Sequence, residues 1–327
     1  MMNQATQPTY TDDVQTLLGT FFIVGANQTP FIDRMGGLSA YKQVFGTKFP
    51  VSVYAALETA TQRAVDEADQ VSGAGAHITY TRAQAYNYIQ TLYRLVNVSY
   101  EKLANAAVLS GIAWENAKAE LVSNEIDTQT RMNLLQMAID TEYSIFQGVA
   151  QAPTNNATAA KSAGFVGTGA NGAIQTNRIN GGTTEIDKGM IKACVKSMAD
   201  HGAPFIDPVL YCGSYVKEQL SEIYGWSPIG AAGTGVGGVN VEVIQTNFAK
   251  IPVVFDPFML STAVAIVEMA EVKLAGLEVP GMGAVYLEQL SKTGMAEKYH
   301  VFSKLGLDYG EESHHGCIYE VLDAAAA

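Results

Sequence analysis

Charge is what this sequence has least of. Of its 327 residues, only 16% are Asp, Glu, Lys or Arg, where an ordinary soluble domain carries about 25%. Bases are scarcer still: 20 Lys and Arg stand against 32 Asp and Glu, for a net charge of −12. Such a chain is a poor candidate for wrapping nucleic acid, because that binding runs on cations that displace phosphate counterions. Cysteine is nearly absent. Cys194, Cys212 and Cys317 are too few for a secreted disulfide scaffold, and no Cys-x-x-Cys pair supports a zinc or redox site. They read as buried, reduced thiols. Long apolar runs are missing as well. The best, 251–267, is interrupted by Pro252, Asp256 and Pro257, so no membrane span is expected. The first apolar stretch, 14–26, follows Asp12 and Asp13 rather than the cations of a secretory signal. A soluble chain made in a cytoplasm is the expectation. No P-loop, HExxH, GxSxG or EF-hand pattern occurs.

What is present is apolar. A hydrophobic fraction of 48% excludes a disordered chain. Area scaling predicts roughly 13,000 Å² of exposed surface when folded, against roughly 50,000 Å² unfolded, which is ample for a core. With so few charges, the surface must be covered either by uncharged polar residues or by other protein.

Residues 1–38 read as a polar arm in which Thr29-Pro30-Phe31 and Gly36-Gly37 break regular structure. Residues 41–54 read as a strand, 58–76 as a polar loop tip, and 77–98 as one long strand rich in tyrosine and β-branched residues. Together they predict a two-stranded ribbon, which is marginal alone and must lie on something else. Ser99 opens a helix to about 109. Met132, Leu135, Ile139, Tyr143 and Phe146 form the apolar stripe of a second, long helix from about 112 to 147, with a kink expected near Asn124 and Gly148 as its stop. The Ala-, Asn-, Thr- and Gly-rich stretch 149–183 is too long for an ordinary loop and is expected to lie extended across a surface. Helices at 184–200 and 214–224 flank a strand at 208–212. Strands follow at 239–245, 251–255, 263–273 and 284–290, and 298–309 with 316–322 read as a closing antiparallel pair.

Two stretches, 167–172 and 233–238, match GxGxxG literally. Neither lies between a strand and a helix, as a dinucleotide site requires, so both read as flexible loops. Gly213-Ser214 faintly suggests a nucleophile elbow, but Ser214 reads better as a helix N-cap. Glu311, Glu312, His314, His315 and Cys317 could ligate a metal by residue type alone. Adjacent histidines on a strand point to opposite faces, which argues against it. The tyrosines of 80–100 are accompanied by too few cations for base stacking and read as strand packing.

The order of parts, from arm and ribbon through long helix and α/β region to closing strands, resembles tailed-bacteriophage major capsid proteins of the Hong Kong 97 fold. Local sequence carries the same resemblance: Thr29-Pro30-Phe31 with Gly36-Gly37; Asn87-Tyr88-Ile89-Gln90 with Val98-Ser99 and Gly111; Asp140-Thr141-Glu142 with Phe146-Gln147-Gly148; and the run Gly306 to Gly316. The resemblance implies an α+β fold divided into an N-terminal arm (1–38), an extended β-hairpin loop (39–98), a peripheral domain with the spine helix and an extended segment (99–183), an axial domain (184–262) and a return to the peripheral domain (263–327). It implies a non-enzymatic shell protein without cofactor. Hexamers and pentamers would enclose double-stranded DNA in a virion head assembled in the bacterial cytoplasm. Portal and scaffolding proteins, and a decoration protein in some shells, would be partners.

Contacts between subunits are expected at three places. The ribbon tip, with Glu58, Arg63, Asp66, Glu67 and Asp69, should meet cations such as Arg131, Lys292, Lys298 or Lys304 on a neighbour. The loop with Gly230, Gly233, Gly235, Gly237 and Gly238 should face the capsomer axis, and Thr29, Pro30 and Phe31 should make the arm's contacts. The rival readings are an encapsulin-like compartment shell and a nucleotide-binding enzyme using the Gly-rich loops.

Overall fold

A computed structural model describes residues 28–55, 57, 60–62, 64, 66–72, 80–103, 125–167, 172–224, 241–292 and 294–322. The kink expected at Asn124 and the glycine loop 230–238 lie outside them.

The chain opens with helix α1 (Pro30–Met35), then strands β1 (Tyr41–Val44) and β2 (Lys48–Tyr54). Helix α2 (Glu67–Ser72) precedes β3 (Ala83–Tyr88) and β4 (Gln90–Ser99), and the long helix α3 runs over Glu125–Gln147. Next come β5 (Arg178–Asn180), α4 (Lys188–Asp200), β6 (Pro208–Cys212), α5 (Ser214–Tyr224), β7 (Val243–Gln245), β8 (Lys250–Phe255) and β9 (Val264–Glu268). The chain closes with β10 (Lys273–Leu277), β11 (Val285–Gln289), β12 (Ala296–Asp308), a 3-10 turn at Glu312–His314 and β13 (Gly316–Tyr319).

The strands form three sheets. The largest has the order β5-β13-β9-β6-β8-β7. Its central strands β6 and β9 are buried along their whole length, as a sheet covered on both faces requires. Alternation sends Leu210, Cys212, Val264 and Ile266 toward α4 and α5. Val209, Tyr211, Ala265 and Val267 face the opposite way, toward α1 and the end of α3. Helix α4 supplies Ile191, Cys194, Val195 and Met198, one apolar stripe, and the Asp187 carboxylate caps it by accepting the Gly189 N–H at 3.0 Å. Each such fully buried side chain contributes about 1.5–3 kcal/mol of transfer energy.

The second sheet has the order β1-β10-β12-β11, with β4 also paired to β12. Helix α3 lies on it through Met137, which packs with Val96, Val98 and Val301. The third is the ribbon, β2 against β3, with an irregularity between Pro50 and Val53.

Several expectations are corrected. The strand read as 41–54 is two strands: β1 pairs parallel with β10, whereas β2 pairs antiparallel with β3. The strand read as 77–98 changes sheet at Ile89, leaving β3 in the ribbon and β4 on β12. The strand read as 263–273 is broken by a turn at 269–272 into β9 and β10. The closing strands do not pair with each other; β13 lies between β5 and β9 in the six-stranded sheet. Proline does not break the arm at 30. It occupies the first turn of α1, where its missing N–H costs nothing. Ser214 begins α5 rather than preceding it, and the Gly213 carbonyl accepts the Lys217 N–H.

The segment after α3 is corrected too. Its first part, 152–157, is exposed as expected, but the segment then turns inward: Ala163, Phe165, Val166, Ala173 and Ile174 are all core residues. Glycine makes this threading possible. A Cβ on Gly164 would lie 2.6 Å from the Gly148 nitrogen and 2.7 Å from the Ser144 carbonyl, so only backbone fits against the end of α3.

Candidate assembly surfaces

The ribbon is anchored at its base and bare beyond it. At the base, Phe49 and Ile89 pack with Val44 and Ala275. Asn87, fully buried, donates through Nδ2 to the Leu307 carbonyl at 2.7 Å, and its Oδ1 accepts the Ala163 N–H at 2.9 Å. Farther out, Val53, Tyr54, Leu57, Tyr80 and Tyr86 are exposed, as is Val71 on α2 at 85%. Two strands alone give these side chains nothing to bury against. Asp66 and Glu67 are exposed at this end. Glu58 and Arg63 lie outside the described residues, and Asp69 is placed only as a position in α2.

The sheet β4-β12-β11 has one covered face and one open face. On the covered face, Arg94 donates to Asp140 of α3, which also accepts from Gln136. Alternation along β12 puts Lys298, His300, Phe302 and Lys304 on the other face. Phe302 sits in register between Tyr93 of β4 and Tyr286 of β11. Its ring is 5.3 Å from Tyr286, 6.2 Å from Tyr93 and 5.2 Å from His300. Tyr93 is 66% exposed and Leu95 50%. An aromatic row flanked by two lysines thus faces outward, with Glu288 beside His300. Sequence reasoning took these tyrosines for ordinary strand packing; the pairing of three separate strands is what assembles the row.

The cations expected to receive the tip do not share one surface. Lys298 and Lys304 are on the open face. Arg131 lies on α3, which covers the opposite face, and pairs with Asp127 at 2.9 Å. Lys292 pairs with Glu297 at 3.4 Å and lies over the Tyr100 ring.

The arm motif is held within its own chain. Phe31 is fully buried, with its ring 5.1 Å from Tyr211, 5.3 Å from Phe146 and 5.7 Å from Phe165. Thr29 is buried and Pro30 half-buried beside it. The N–H groups of Phe31 and Ile32, free at the start of α1, donate to the two carboxylate oxygens of Glu142 at 2.9 and 3.0 Å. The glycines 230, 233, 235, 237 and 238 lie outside the described residues.

The groups that could have carried chemistry have structural partners. His314 pairs with Glu271 at 2.7 Å, and Glu312 accepts from the Gln175 N–H and the Thr176 hydroxyl. His315 is fully buried; its Nδ1 accepts the Glu268 N–H, and its Nε2–H donates to the Tyr309 carbonyl. Burial pushes its imidazole down to about 4. Burial also pushes the Cys317 thiol up to about 11 and Cys212 up to about 12, so both stay protonated. A groove of about 610 Å³ runs past Arg34, Tyr41, Lys42 and Asp207. Two of its cations are already paired, Arg34 with Asp207 and Lys42 with Asp308. Of the GxGxxG stretch at 167–172, Gly167 and Gly172 pack backbone to backbone, and the Gly167 carbonyl accepts from Arg178. Among the described residues no helix is long and apolar enough to cross a membrane.

Residues 2–322 match the model of a family described as the SU10 major capsid protein. The chain belongs to the SU10 major capsid protein family. No curated protein matches it in sequence. Solved structures share its fold. The capsid protein in the cyanophage A-1(L) capsid asymmetric unit superposes with a TM-score of 0.63 at 13% identity, over 96% of this chain and 98% of that one. The capsid protein of a native GTA particle gives 0.57 at 12% identity, over 98% and 99%. The SrpI encapsulin of Synechococcus elongatus PCC 7942 gives 0.54 at 8% identity, over 93% and 92%. The fold is therefore the mixed α+β Hong Kong 97-like capsid fold. As a member of the SU10 family, the chain is a major capsid protein of the tailed-phage type, a structural subunit of the icosahedral virion head and not an enzyme.

Proposed function

We propose that this capsid protein builds its shell as hexamers and pentamers in which the ribbon of each subunit lies across a neighbour. The single observation that carries this reading is a two-stranded ribbon with exposed Val53, Tyr54 and Tyr86, in the same chain as an open sheet face of Tyr93, Phe302 and Tyr286. Each surface lacks what the other supplies. The tip adds Asp66, Glu67 and Asp69, and the open face adds Lys298 and Lys304 around the aromatic row. Charged pairs of this kind set register and contribute at most about 1 kcal/mol each, while the apolar contact supplies the affinity.

The division into arm (1–38), ribbon (39–98), peripheral domain (99–183 with 263–327) and axial domain (184–262) belongs to this reading. So does the capsomer-axis role of the glycine loop, where glycine lets one sequence follow different backbone paths in non-equivalent subunits. The low charge content suits a surface largely spent on subunit contact, and the net charge of −12 suits a container that holds double-stranded DNA without sticking to it. Portal and scaffolding proteins, and a decoration protein on the finished shell, are the partners this role calls for. Electron microscopy and sedimentation of the purified protein test the reading. Megadalton icosahedral particles support it, and a chain that stays monomeric under all assembly conditions overturns it. Particles that package protein cargo instead of DNA would move the assignment to an encapsulin-like compartment.

A further inference from the structure

Glu142 does more than receive two amides. It is fully buried on α3, and so is Asp256, on the turn after β8. The two carboxyls face each other, close enough for a hydrogen bond once one of them carries a proton. Asp256 accepts the Phe258 N–H at 2.8 Å through Oδ1, while its buried Oδ2 has no hydrogen-bond partner among the described residues. Gln147 of α3 donates to the Phe258 carbonyl at 2.8 Å and pins the same turn. Three distant segments therefore meet at two acids: the start of the arm helix, the long helix and the turn after β8 of the six-stranded sheet.

Among the described residues, no base neutralises them. Arg34 of α1 is engaged by Asp207 at 2.6 Å, and the Tyr211 hydroxyl on β6 donates to the Met269 sulfur rather than to either acid. Asp140, the nearest other acid on α3, is turned to Arg94. Two carboxylates in contact in a dry site cannot both stay ionised. One proton between them satisfies Asp256 Oδ2 and leaves both Glu142 oxygens able to accept the Phe31 and Ile32 amides.

We propose that Glu142 and Asp256 share one proton at neutral pH and form a latch that holds the arm helix on the long helix until that proton is lost. The direction agrees with the electrostatics. Burial, then the hydrogen bond to Asp256, raises Glu142 to about 9, against the lowering effect of the two amides. Burial raises Asp256 as well. Groups raised in the fold stabilise it below their unfolded values, and that stabilisation disappears as pH climbs through the folded value. The latch opens on the alkaline side, where hydroxide takes the proton and leaves two like charges facing each other. The start of α1 would then be released from α3 without unfolding the sheets.

The test uses the full chain and the variant Asp256→Asn, whose amide donates to Glu142 without a titrating proton. At about pH 8 the wild type should show the infrared carbonyl stretch of a protonated carboxyl, and the variant should lack it. Hydrogen exchange at Phe31 and Ile32, corrected for intrinsic rates, should accelerate by up to tenfold per pH unit between the ordinary carboxylate range and about pH 9 in the wild type, level off above it, and stay flat in the variant. Absence of the protonated band from the wild type overturns the proposal even if the variant fails to fold. The same alkaline loss of protection in Asp256→Asn overturns it as well.

Discussion

The Asn87 amide donates to the Leu307 carbonyl at 2.7 Å, joining the base of the ribbon to the end of β12. The same side chain reaches Ser162 and accepts the N–H of Ala163 and of Tyr88. All of this is buried, so a truncation leaves unpaired groups without water. Asn87→Ala should cost about 3 kcal/mol in denaturant unfolding. Asn87→Asp should cost more, because a carboxylate cannot donate to the Leu307 carbonyl. An unfolding midpoint within error of wild type for either variant would show that the ribbon base is held by packing alone.

Gly164 is required for space rather than for backbone angle. A Cβ at this position would press on the Gly148 nitrogen and on the Ser144 and Ile145 carbonyls, all within 2.8 Å and all backbone. Gly164→Ala should lower stability by about 2–3 kcal/mol. Gly46, whose Cβ would meet only the Lys48 carbonyl at 3.5 Å, is the matched control. Gly46→Ala should shift stability by less than about 0.5 kcal/mol. Thermal unfolding of the two side by side checks the contrast.

His315 sets an acid limit. It is neutral in the fold with a value near 4, against an ordinary value of 6.5. The unfolded chain takes up the proton first as pH falls. Stability is therefore full above about 6.5, declines between about 6.5 and about 4, and levels off below, for a total of roughly 3 kcal/mol from this group. Unfolding free energy followed through that window should show the decline. A flat profile there would mean that the buried imidazole is protonated in the fold.

Reversing the tip charges separates assembly from folding. Glu67 is exposed on α2, away from the core. Glu67→Lys with Asp69→Lys should leave circular dichroism and unfolding unchanged while particles disappear from size-exclusion chromatography. Normal particles from this variant would remove the tip from the assembly scheme.

Much of this was readable from local pattern. The strand 208–212 and the helix 214–224 stand where alternation and periodicity put them, and Gly148 does end the long helix. Thr29-Pro30-Phe31 and Asp140-Thr141-Glu142 stood out as motifs, yet nothing local said that they touch. The helix at Pro30 was invisible for the same reason: its free amides are satisfied by a carboxylate more than a hundred residues away. The aromatic row was missed because Tyr93, Phe302 and Tyr286 come from three strands, and pattern along one strand cannot name its neighbours.

By itself the sequence determined the alternation and helical stripes, the absence of catalytic and metal motifs, and an order of parts that resembled a capsid subunit. These depend on each residue's own preferences and on spacing along the chain. Only the tertiary structure decided which strands share a sheet, that Ala163, Phe165, Val166, Ala173 and Ile174 enter the core, and that Glu142 meets Asp256. Those outcomes are long-range: β propensity is the same whichever partner a strand takes, and a buried acid is costly or stable according to what is packed against it. The scarcity of charge that marks the sequence is thus a local fact. The open aromatic face and bare ribbon that give it a use exist only once the chain is folded.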